Sequence, residues 1–173
     1  MIDYLISWTQ GWVGNLHLAS ALFALVSGLL VLVLRKGTTT HVLLGYLYVI
    51  SMLSVNLSAL FKYDLTGAIN FFHIAAVASL ITVMAGFRFA LRYRRSGDRR
   101  AAMAHGIVMI WSYYGLCIAL VAEVITRKYP FMLHGEDGWT RFSVMLIGIM
   151  LVSAFFTQKL IERQLKSFFG ATE

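Results

Sequence analysis

The chain has 173 residues, 59% of them hydrophobic and 13% charged, whereas a soluble domain is roughly half apolar and a quarter charged. That balance excludes a soluble enzyme, and it excludes a nucleic-acid-binding domain despite the net charge of +7, because the basic residues sit between apolar stretches. A single cysteine, Cys117, rules out an internal disulfide and says nothing about redox compartment.

Residues 1 to 11 mix Tyr4, Leu5, Ile6 and Trp8 with polar neighbours, which predicts a short interfacial segment anchored by aromatic rings. Asp3 and the lack of any Lys or Arg there argue against a cleavable export signal, so this segment is expected in the mature protein. Five nearly uncharged windows follow, 12–34, 41–61, 68–91, 105–126 and 142–161. Each is about 20 residues or more, enough to cross a hydrocarbon core of roughly 30 Å as a helix. The expectation is an all-α membrane protein. A bundle of five transmembrane helices would form one integral membrane domain over 1–173, with a core at 12–126 and a peripheral fifth helix at 142–161.

In the first window helical spacing puts Ser20, Ala21, Ala24 and Gly28 on the face of His17. Small residues on a membrane helix mean close packing; they would equally leave room for a flat cofactor beneath the imidazole. Thr38, Thr39 and Thr40 precede the second window as capping residues, and Gly45 lies one turn after His41. Ser54, Asn56 and Ser58 read as hydrogen-bonding glue between helices. The link KYDLTG is short, so the second and third helices should be neighbours. His73 opens the third window, and Ser96-Gly97-Asp98 is a turn signal within a strongly basic link whose expected roles are orientation and contact with anionic lipid. His105 opens the fourth window, near whose far end Glu123 is expected to pair with Arg127. His134, Glu136 and Asp137 form a charged loop, read as solvated in preference to a surface metal site.

Charge placement orients the chain. Eleven of the 15 basic residues fall on one side: Arg35 and Lys36; Arg88, Arg92, Arg94, Arg95, Arg99 and Arg100; and Lys159, Arg163 and Lys166. Lys62, Arg127, Lys128 and Arg141 fall on the other. The positive-inside rule predicts the inner membrane, with the N-terminus outside and the C-terminus in the cytoplasm. His17 and His73 are then outer, His41 and His105 inner.

The first two windows resemble the next two. His17 and His73 are 56 residues apart, His41 and His105 are 64 apart, and the longer arginine link accounts for the difference. Both halves cross in the same sense, which predicts a parallel 2+2 repeat. Haem iron takes one imidazole from each side, and two parallel helices with histidines at matching depth supply that clamp. The pairs His17 with His73 and His41 with His105 would hold one or two b-type haems as axial iron ligands. His17 lies about 28 Å from the end of its helix, which separates the pairs by a leaflet each. Arg35, Lys36, Arg99 and Arg100 would face haem carboxylates.

This arrangement of one histidine in each of four consecutive helices, paired one with three and two with four, resembles the transmembrane di-haem cytochrome b proteins of the ascorbate-reducible type. The segments RKGTTTHVLLGYLYV and AAMAHGIVMIWSYYG also look like a family of small bacterial membrane proteins of unknown function. Together the likeness covers residues 13–126. It implies a membrane oxidoreductase that transfers electrons through bis-histidine haem, with a quinone or a small reductant as partner. Three other readings stand beside it. One is a structural or accessory membrane protein without cofactor, its histidines merely interfacial. Another is an intramembrane metal-dependent hydrolase built on His17, His73 and Asp64. A transporter is the third, weakened by the lack of buried charge or broken helices. Donor, acceptor and any oligomeric partner are not specified by the sequence.

Overall fold

Five α-helices carry the chain in this computed structural model, which describes residues 11–61, 69, 71–129, 135 and 137–169. They are α1 (Gly11–Val33), α2 (Thr39–Leu60), α3 (Phe71–Ser96), α4 (Arg99–Lys128) and α5 (Gly138–Phe169), and each is long and apolar enough to cross a membrane. No strand occurs among the described residues. Of the expected interfacial segment at 1–11 only Gly11 is described, as the first residue of α1; residues 1–10, the link at 62–68 with Asp64, and His134 and Glu136 lie outside the described residues.

Burial runs opposite to that of a soluble helix. The buried residues of α1 are Gly14, Ser20, Ala24, Ser27 and Gly28, while Leu22, Phe23, Val26 and Leu29 are exposed. Lipid tails solvate large side chains as well as a protein core does, so helix contacts select residues that let backbones approach. The Ser27 hydroxyl adds no unsatisfied group, because it donates to the Phe23 carbonyl at 2.5 Å.

The apolar windows mark the hydrocarbon crossing rather than the helix ends. Helices α3 and α4 run past them until a cap stops them. The polypeptide turns on Gly97 at φ +68, a left-handed conformation in which a side chain would be strained. Asp98 caps the next helix by accepting the Arg100 amide at 2.9 Å and binds the Arg92 guanidinium at 3.2 Å. The arginine link is therefore two helix ends and a tight turn. Likewise Thr38 caps α2 by accepting the His41 amide at 3.2 Å.

Residues to Tyr113 form one compact unit and those from Tyr114 another. In the first, α2 packs against both α1 and α3. Its buried stripe includes Tyr48, Met52, Val55 and Asn56. The first half of α4 closes on the same stripe. The hydroxyls of Tyr48 and Ser112 lie 2.9 Å apart, and Tyr113 donates to the Leu25 carbonyl at 3.3 Å. In the second unit the Tyr114 hydroxyl donates to the Met150 carbonyl at 2.6 Å, tying the rest of α4 to α5. Glu123 and Arg127 pair as expected, at 2.7 Å.

Candidate functional site

His17, in the second turn of α1, points its Nδ1 at the end of α2, 3.2 Å from the Val55 carbonyl and 3.0 Å from the Ser58 hydroxyl. A carbonyl only accepts, so Nδ1 carries the proton. Ser58 sends its own proton to Val55 at 2.9 Å, leaving its oxygen to accept from the imidazole. The ring is thereby held with its Nδ1–H directed at α2.

His105 repeats this arrangement at the other end. Its Nδ1 donates to the Gly86 carbonyl of α3 at 2.9 Å, which likewise fixes the orientation of the ring. His41 lies within electrostatic reach of both His105 and Lys36 and faces the Val31 carbonyl. Its Nδ1 is buried and has no hydrogen-bond partner among the described residues. Gly45, one turn on, has open space where a side chain would stand. His73 is 6% exposed, in the first turn of α3. His41 and His105 thus lie within electrostatic reach of each other at the basic end of the unit. His17 and His73 share the opposite end through the alternation of helix direction.

Lys36 does not extend toward this space. Its ammonium donates to the Val31 carbonyl at 2.9 Å and the Leu32 carbonyl at 2.6 Å, closing the frayed end of α1. Partial burial holds its pKa below the usual lysine value. Arg35, Arg99 and Arg100 remain exposed.

The small face of α1 is not open along its length. A Cβ at Gly28 would stand 2.5 Å from the Tyr113 ring and 2.8 Å from the Tyr48 ring, so the tyrosines already fill the space there. The two rings lie 6.4 Å apart between centroids, tilted against each other, and form an aromatic layer beside Gly28. At Gly28 the small residue serves packing and leaves no room for a flat group.

Sequence reasoning missed the groups that orient the imidazoles. Ser58 was legible only as interhelical glue, although it lies near the end of α2 at the depth of His17. The Val55 and Gly86 carbonyls carry no residue-type signal. Among the described residues no three His, Cys, Asp or Glu side chains group so as to hold a metal ion. The hydrolase reading needs Asp64, which lies outside them.

No curated protein and no solved structure matches the chain. A family model does, over residues 14–161, a range that includes His17, His41, His73 and His105 and reaches into each of the five helices. The chain therefore belongs to the family described as predicted membrane protein (DUF2306).

Proposed function

We propose that the paired imidazoles hold b-type haem and that the protein carries electrons across the membrane. One observation supports this reading above the others: His17 and His105 each donate their Nδ1 proton to a backbone carbonyl of another helix, which sets the orientation of both rings. Metal-bound histidines are oriented by such bonds, which fix the tautomer and raise the basicity of the ligating nitrogen. The buried Nδ1 of His41 adds a nitrogen in need of a partner beside His105. A donor set of neutral imidazoles suits haem iron.

In this reading His17 and His73 are the outer ligands and His41 and His105 the inner ones. Haem b would supply a one-electron carrier, with a quinone or small reductant as the exchange partner. The protein's own residues hold the rings, through Ser58, Val55 and Gly86, and Tyr48 and Tyr113 form the aromatic layer beside Gly28. The basic link residues put the C-terminus in the cytoplasm and the N-terminus outside.

The test is the absorption spectrum of the full chain purified from a haem-replete host. A Soret band that sharpens on adding dithionite is expected, and His73→Ala should remove the outer contribution selectively. A folded, colourless, metal-free protein would overturn the proposal in favour of an accessory role, and a colourless protein with stoichiometric zinc would favour a hydrolase.

A further inference from the structure

We infer that the basic end of the first unit is a binding site for the headgroup of an anionic phospholipid. This does not depend on haem. Among the described residues of that unit, Asp98 is the single carboxylate, and it is taken by Arg92 at 3.2 Å. Lys36 is taken by the carbonyls of α1. Arg35, Arg94, Arg95, Arg99 and Arg100 are exposed and make no ion pair with any described carboxylate.

The fold gathers these charges. Arg94 donates to the Tyr46 hydroxyl at 3.2 Å, which ties the end of α3 to the beginning of α2. Tyr46 is steadied in turn by an edge contact with Phe87, with centroids 5.9 Å apart. Lys36 is within electrostatic reach of His105, so the α1–α2 link lies beside the start of α4. Both basic links therefore converge on one end of the unit, where the apolar windows stop and headgroup phosphates lie. A phosphodiester there meets guanidinium groups that pair with it bidentately, while its acyl chains run down the exposed apolar flanks of α2 and α3, such as Leu43, Leu47 and Met84. A lipid is favoured over a free anion because these charges border an exposed apolar flank.

The test uses the full chain in detergent micelles, delipidated and then offered phosphatidylglycerol or phosphatidylcholine, with bound lipid counted by native mass spectrometry. Phosphatidylglycerol should be retained preferentially, and the triple variant Arg95→Gln, Arg99→Gln, Arg100→Gln should lose it by about fivefold per removed charge. Lys128→Gln, at the last residue of α4, should retain it. Equal retention of the two lipids by the unaltered protein overturns the site, as does undiminished phosphatidylglycerol on a triple variant with native helix content. Should the variant misfold, the unaltered protein decides alone. Its phosphatidylglycerol should be released by molar salt, which screens charges beyond about 3 Å, and a salt-insensitive complex refutes the assignment. Displacement by equimolar inorganic phosphate would show a small-anion site in place of a lipid site.

Discussion

Replacing Gly28 by alanine tests the aromatic layer directly. The added Cβ would stand 2.5 Å from Cδ2 and 2.8 Å from Cε2 of Tyr113, and 2.8 Å from Cε2 of Tyr48. These are ring atoms, and neither ring can swing away freely. Tyr48 is 2% exposed and bonded to Ser112 at 2.9 Å, and Tyr113 is bonded to the Leu25 carbonyl at 3.3 Å. Relief requires α1 to move out or both hydroxyl bonds to break. Overpacking of this kind costs about 1–3 kcal/mol, which we expect as a lowered midpoint in a denaturing-detergent titration followed by tryptophan fluorescence. Adding Tyr113→Leu to Gly28→Ala should recover part of the loss, because the removed ring atoms are those in the way. An unchanged midpoint for Gly28→Ala would refute the layer as described, and a double variant with strictly additive losses would refute the steric account.

Other outcomes follow from the same contacts. At Gly45 an added Cβ meets nothing within 4 Å, so Gly45→Ala should leave the titration midpoint unchanged or slightly raised. Gly86→Ala meets the flexible Met109 side chain at 2.5 Å and should cost less than Gly28→Ala, since a thioether can re-fold where a hydroxyl-pinned ring cannot; the same titration ranks the two. Thr38→Ala removes the α2 cap and should cost roughly 1 kcal/mol, read as faster amide exchange at His41 and its neighbours. Under the haem proposal, Ser58→Ala leaves the Val55 carbonyl as the remaining acceptor for His17, so haem retention should weaken toward the low side of the roughly 10–100-fold expected of such orienting groups. Haem titration of the variant measures this, and unaltered retention would separate Ser58 from the ligand.

The architecture was largely legible because crossing a bilayer imposes length and apolarity that composition records. The five windows, the Thr38 cap, the turn at Gly97 and the pair of Glu123 with Arg127 all follow from local chemistry. Helix ends were not legible, because Arg92 to Arg95 are polar yet still helical, and polarity marks the edge of lipid rather than the end of hydrogen bonding. The role of Gly28 was ambiguous for another reason. A small residue admits either a neighbour's side chain or a ligand, and only the positions of Tyr48 and Tyr113, 20 and 85 residues away, decide between them. The ring orientations of His17 and His105 depend on backbone carbonyls contributed by other helices, which no spacing rule reveals.

The extension of α3 beyond its apolar window bears on where this protein can reside. Its 26 residues make a rod of about 39 Å, against roughly 30 Å of hydrocarbon. The surplus emerges at the arginine-bearing end, where long side chains can bend back to the surface or stretch away from it. A thicker bilayer can therefore engulf another turn, and a thinner one expose it, with little penalty to the helix contacts beneath. Tolerance of varied membrane thickness follows, and reconstitution in lipids of graded chain length should leave the helical content constant.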